Sequence, residues 1–190
     1  ETNDDDDDDK QPPVVVLLEV PKTVILDSKK IYEEWKTHLR QSMDHIQRNK
    51  FGDARHNFVL VVKVLREYSL YHHHQHQQSN TNNTNKNKSH HHEWIQSLPQ
   101  TFTTGTTMTP LELDCLPPFS RAMADYERRR LQIFRDALRL MVRGRQRNRP
   151  ILEEWVVEDE DLVRWAFNVV ATRSWVYDAS DDDSEEDDGR

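Results

Sequence analysis

Apolar residues recur at helical spacing along most of this chain. Ile31, Trp35, Leu39, Met43 and Ile46 fall on one face of a helix that Asp27 or Ser28 can cap and that ends near Gly52. The stretch "ARHNFVLVVKVLREYSL" predicts a second, more apolar helix with Phe58, Val61, Val62, Leu65 and Tyr68 inward. "EWIQSLPQTF" reads as a short helix or turn stopped by Pro99, and "MTPLELDCLPP" as a short helix that starts near Pro110 and is closed by Pro117. The longest helix runs from Phe119 to about Arg143, with Phe119, Met123, Tyr126, Ile133, Phe134, Ala137 and Met141 as its apolar seam and Gly144 as its end. A basic loop leads to Pro150, and the acids of "EEWVVEDED" suit the start of a final helix. Its buried stripe is Leu162, Trp165, Ala166, Val169 and Val170, and Arg173 falls one turn further on the same side. A cation there can run its stem along the core and offset the negative end of the helix dipole.

The front of the chain has a different period. "PPVVVLLEVPKTVIL" concentrates β-branched residues in two short stretches split by Pro21, which predicts a β element over residues 14–27. Between Tyr71 and His92 the composition is His, Gln, Asn, Thr, Ser and Lys. That composition offers no apolar face and cannot offset the entropy of ordering, so residues 71–92 read as a flexible insert.

Charge refines this outline. The formal net charge is -8, but residues 1–10 hold seven acids and residues 178–190 hold eight, which leaves 19 acids against 24 bases in residues 11–177. A mildly basic body therefore lies between two acidic runs, and segments 1–13 and 178–190 read as solvated and disordered. The single cysteine, Cys115, excludes an internal disulfide and fits a reducing, intracellular compartment, with buried filler as its own role. No apolar run approaches the roughly 18 residues needed to span a bilayer, so no membrane partner is expected, and a monomer is.

Three constellations could carry chemistry. Seven of the ten histidines lie in "HHHQHQ" from His72 and "HHH" from His90. Imidazole is a common metal ligand, but a site needs ligands held at fixed spacing, which a polar tract does not provide, and no metal site is expected. The series Arg128, Arg129, Arg130, Arg135, Arg139, Arg143, Arg145, Arg147 and Arg149 could pair with phosphates. Positions 128, 135, 139 and 143 lie opposite the expected seam and read as a solvated face, and no aromatics interleave for base stacking, so nucleic acid is not expected as a partner. With only four glycines, Gly-rich phosphate loops are nearly excluded, and Cys115 has no histidine nearby in sequence to activate it.

Taken in order, "LLEVPKTVILDSKKI", "FVLVVKVLREYSL", "EWIQSLPQTF", "LPPFSRAMADYERRRLQIF" and "DEDLVRWAFNVVATRSW" resemble consecutive blocks of SET-domain protein methyltransferases of the Rubisco large-subunit methyltransferase type. The likeness covers roughly residues 14–177. "EWIQSLP" resembles the family's Trp-x-x-x-Leu-Pro block, and "RWAFNVVATR" its Trp-Ala-x-x-x-Val-x-Ser/Thr-Arg block. The resemblance implies a mainly α fragment of an α+β SET domain, with residues 14–27 in the β-rich core and residues 28–177 forming the helical insertion that lines the substrate groove. It implies methyl transfer from S-adenosylmethionine to a lysine, or in some members a histidine, of a protein substrate. By position, Thr172 and Arg173 match the Ser/Thr-Arg pair that closes the insertion beside the cofactor pocket, so the resemblance implies that both bind the cofactor, with Arg173 at the carboxylate of its methionine part, where a planar, permanently charged donor fits. The family's Gly-x-Gly loop, Asn-His motif and catalytic tyrosine have no counterpart in residues 1–190, and Tyr177 is not at the catalytic position. The resemblance therefore implies a piece of a longer enzyme that is silent alone. The alternatives are a non-catalytic helical module that binds nucleic acid or an acidic partner through its arginines, and a degenerate methyltransferase that binds protein without catalysis.

Overall fold

A computed structural model describes residues 26–78, 90–143 and 150–174. Seven helices follow one another in these residues: α1 (Ser28–Arg48), α2 (Arg55–Gln78), α3 (His90–Ser97), α4 (Pro110–Asp114), α5 (Pro118–Arg143), α6 (Glu154–Glu158) and α7 (Glu160–Arg173). No strand occurs among the described residues, so the expected α+β architecture is corrected to all-helical for this part of the chain. Of the expected β element at residues 14–27, Leu26 and Asp27 are described, and they are the lead-in to α1. The Asp27 carboxylate accepts from the backbone N–H groups of Lys29 and Lys30, which makes it an N-cap and commits the chain to helix at Ser28. Residues 14–25 lie outside the described residues.

The five residues that the spacing places on the inner face of α1 are all buried, joined by Ser42, whose hydroxyl donates to the Ala137 carbonyl of α5 at 2.6 Å. α1 ends in a Schellman-type turn: the Lys50 N–H reaches the Gln47 carbonyl, the Phe51 N–H reaches the Ile46 carbonyl, and Lys50 takes a left-handed φ of 64°. A short 3-10 turn over Gly52–Ala54 leads into α2. α2 packs between α1 and α7, while α1 packs against α5. Phe58, Phe134 and Phe167 stand edge to face at the centre, with centroids 5.2 and 5.7 Å apart, and join α2, α5 and α7 in one core.

Two expectations change here. α2 continues to Gln78, and His90 opens α3, so the ends of the tract 71–92 are helical, while residues 79–89 lie outside the described residues. Once α2 is nucleated on its buried face, adding polar turns costs little. Its end also finds partners: Tyr68 stacks on His72, His72 lies 5.4 Å from Trp155, and the His73 Nε2 is 2.6 Å from a Glu153 carboxylate oxygen. In α5 the face that enters the core is Ala124, Leu131, Phe134, Ala137 and Leu138, whereas Phe119 and Met123 are 78% and 49% exposed. Phe134 and Ala137 of the expected seam are buried, and Tyr126, Ile133 and Met141 pack partly buried against the core, so the seam departs at Phe119 and Met123, where the first turns of α5 lie away from the core.

Candidate functional site

α7 brings the matched pair to the surface. Asp159 caps it by accepting from the N–H groups of Asp161 and Leu162, and Leu162, Val163, Ala166, Phe167, Asn168, Val169 and Val170 are buried. Beyond Val170 the chain leaves the core, and both Thr172 and Arg173 are exposed. The Thr172 hydroxyl donates to the Asn168 carbonyl one turn back at 2.7 Å, since a carbonyl can only accept. Its oxygen in turn accepts from the Arg173 Nη1 at 2.9 Å. With its proton committed, Thr172 anchors the guanidinium and has no donor to offer a ligand. The Arg173 Cζ lies over the Phe102 ring, 5.6 Å from its centroid.

The loop beneath Arg173 is stapled by side chains. Pro99 opens it, and its carbonyl accepts from the Trp165 indole at 2.8 Å. The hydroxyls of Thr104 and Thr106 both reach the side-chain oxygen of the buried Asn168, at 2.9 and 3.0 Å. The Thr107 hydroxyl holds the Phe102 and Thr104 carbonyls at 2.9 and 3.0 Å. Gly105 lies flat on α5: a Cβ there would sit 2.6 Å from the Ala124 Cα. Arg128 grips the far side, donating to the Gly105 carbonyl at 2.8 Å and to the Met108 carbonyl. Thr109 and Glu112 then form a reciprocal capping box that starts α4. The backbone and side-chain hydrogen bonds from Thr109 hold the Glu112 carboxyl below its ordinary value.

The arginines of α5 do not form the expected solvated face. Arg128 clamps the loop, Arg130 lies 4.9 Å over the Phe167 ring, and the half-buried Arg135 pairs with Glu160 at the start of α7. Burial, followed by the nearby cations Arg139 and Arg164, pulls Arg135 below its usual value. Arg139 turns toward Asp136 and Glu160. Arg145, Arg147 and Arg149 lie outside the described residues.

The other candidates separate from this site. Cys115 is exposed and caps α4, which corrects its expected role as buried filler: α4 is too short to carry that position into the core. No group of three or more potential metal ligands occurs among the described residues. No described helix is long and apolar enough to cross a membrane. An open cleft of about 440 Å³ between α1, α5 and α6 is lined by His45, Asp136, Arg139, Leu140, Arg143 and Glu158, and shares no residue with the Arg173 loop. No protein-family model, characterised protein or solved structure matches the chain. The functional reading therefore rests on the residues themselves. The sequence points to Thr172 and Arg173 and places Arg128 on a solvated face rather than on the loop, and it singles out neither Phe102 nor Asn168. The signal for Asn168 was a polar residue one turn before Thr172 on a face otherwise made of Val, Ala and Phe.

Proposed function

We propose that this chain is the helical, insertion-type part of an S-adenosylmethionine-dependent protein-lysine N-methyltransferase, in which Arg173 pairs with the carboxylate of the cofactor and the helices wall the groove for a protein substrate. The observation that carries the reading is the junction of the two blocks on which the resemblance rests: Trp165 of one donates to the Pro99 carbonyl of the other, and Phe102 lies beneath Arg173. The half-buried Trp165 indole needs an acceptor, and it finds one in the other block, which brings the two segments together beside Arg173. The chemistry of the donor also fits. Arg173 is exposed and offers a planar, permanently charged fork, which is what a two-oxygen anion requires. S-adenosylmethionine would supply the activated methyl group, and the acceptor amine must be deprotonated and aligned with it, so the protein's work is positioning and exclusion of water. Thr172 serves that work as the anchor of Arg173. A monomer in an intracellular compartment belongs to the same proposal, the compartment resting on the lone cysteine. The rival module that reads nucleic acid through α5 loses support, because Arg128, Arg130 and Arg135 are spent on the fold.

Isothermal titration of the complete protein that carries this chain tests the proposal. Arg173→Ala should weaken S-adenosylmethionine binding by roughly 1.5–3 kcal/mol, the range for a hydrogen bond to a charged group, and Arg173→Lys should recover only part of it. Decarboxylated S-adenosylmethionine should bind both variants and the parent alike. Equal affinity of the parent and Arg173→Ala for the intact cofactor would overturn the assignment.

A further inference from the structure

We infer that Phe102 is a positioning residue that fixes the plane of the Arg173 guanidinium at the ligand carboxylate; the inference rests on the function proposed above. An arginine at an exposed helix end samples many rotamers, and a fork that must meet two oxygens at once gains from being held beforehand. Two contacts hold this one: the Phe102 ring, 5.6 Å from Cζ, and the Thr172 hydroxyl, 2.9 Å from Nη1. Both trace back to one buried residue. The Asn168 side chain staples the loop that carries Phe102, through Thr104 and Thr106, and the Asn168 carbonyl holds Thr172. The ring is itself steadied from behind by core packing and by Thr107, which donates to the Phe102 carbonyl. Ring and hydroxyl are therefore fixed relative to each other, and the guanidinium bridges them. The ring lies near the cation and takes none of its N–H groups, so apart from the one given to Thr172 the donors remain for an incoming carboxylate. A Leu at 102 would fill similar apolar space but lacks the π-face, which separates cation placement from simple packing.

The test is a set of titrations with S-adenosylmethionine and its decarboxylated analogue, on the complete protein and its Phe102→Leu, Phe102→Tyr, Arg173→Ala and Phe102→Leu/Arg173→Ala variants. Phe102→Leu should weaken the intact cofactor about two- to five-fold, the size of an exposed cation–π contact, and leave the analogue unaffected. Phe102→Tyr should restore tight binding, and Phe102→Leu should add nothing once Arg173 is Ala. A second readout needs no cofactor: the Arg173 Nε–H resonance should carry a ring-current shift that Phe102→Tyr keeps and Phe102→Leu loses. Full affinity in Phe102→Leu alongside a weakened Arg173→Ala would overturn this inference and leave the proposed function standing. A loss in Phe102→Leu that persists in the Arg173→Ala background, or an Arg173 resonance indifferent to residue 102, would make the ring structural and overturn it as well. Unchanged affinity in Arg173→Ala would remove the proposed function and this inference with it.

Discussion

The Trp165 indole donates a 2.8 Å hydrogen bond to the Pro99 carbonyl, across 66 positions of sequence. It ties the middle of α7 to the residue that stops α3, and Trp165 also leans on Tyr68 of α2 with centroids 5.6 Å apart. Trp165→Phe keeps an aromatic ring against Tyr68 but strips the donor, leaving a half-buried carbonyl without its partner. The expected loss is about 1 kcal/mol, read as a lower urea midpoint with an unchanged slope. A variant as stable as the parent would show that water replaces the indole at no cost.

Gly105 has no room for a side chain, because an added Cβ meets the Ala124 Cα at 2.6 Å and its Cβ at 2.7 Å. These are atoms of the α5 axis and cannot turn aside. Gly105→Ala must lift the threonine loop from α5 and stretch the Arg128 grip, with an expected cost of about 1–3 kcal/mol. Gly105→Ala paired with Ala124→Gly should recover part of that loss. Thermal melts of the two variants and the parent decide, and a neutral single substitution would mean that the loop is looser than its hydrogen bonds suggest.

Lys50 is the one described non-glycine residue with a positive φ, at 64°. Its position after α1 is where glycine closes many helices without the Cβ penalty. Lys50→Gly should raise stability by up to about 1 kcal/mol, since relief of the left-handed strain outweighs the extra freedom of glycine in the unfolded chain. A drop in melting temperature would show that the Lys50 side chain holds the turn by a contact worth more than the strain.

How much of this was legible in the sequence varied with how directly spacing maps to burial. α1 is plain to read, because Ile31, Trp35, Leu39, Met43 and Ile46 are large, apolar and all inward. α5 is readable over its second half, where Phe134 and Ala137 are inward as their spacing places them, but not at its start, where Phe119 and Met123 are spread over exposed first turns. The reach of α2 to Gln78 could not be seen from a tract without an apolar face, because its support comes from Trp155 and Glu153, distant in sequence. Of the candidate site, the pair Thr172 and Arg173 is picked out by its motif. The loop under it was not: seven residues such as "TFTTGTT" look like a linker until Asn168 and Arg128, from two helices, satisfy them.

Acid should loosen the start of α4. The Thr109 N–H and hydroxyl both donate to Glu112, which lowers its carboxyl pKa below the ordinary 4.5. A depressed folded pKa means that the charged form is favoured by folding. The contribution is present above about pH 4.5 and fades as pH falls through the lower folded value. Glu153 acts in the same sense, lowered first by its hydrogen bond from the Trp155 indole and then by His73. Unfolding free energy measured between about pH 3 and 6 should therefore fall on the acid side. Glu112→Gln should flatten part of that slope. An unchanged slope in Glu112→Gln would show that the capping box does not persist in solution.

Arg128 and its neighbour Arg129 separate a fold clamp from a phosphate-binding face. Arg128 is half-buried and gives its guanidinium to the Gly105 and Met108 carbonyls, whereas Arg129 is exposed. Arg128→Ala leaves two loop carbonyls without a charged donor and should cost about 1.5–3 kcal/mol. Arg129→Ala should stay within about 0.5 kcal/mol of the parent. Lysine at 128 should rescue little, because one ammonium on a flexible stem does not reproduce a fork that spans two carbonyls. A nucleic-acid interface on α5 would give the opposite ranking: both alanine variants would keep stability, and each would lower affinity for duplex DNA and flatten its dependence on salt. Chemical denaturation beside DNA titrations at two salt concentrations tells these apart. If Arg128→Ala matched the parent in stability while losing salt-dependent DNA binding, the clamp would be incidental and the interaction-module reading would take its place.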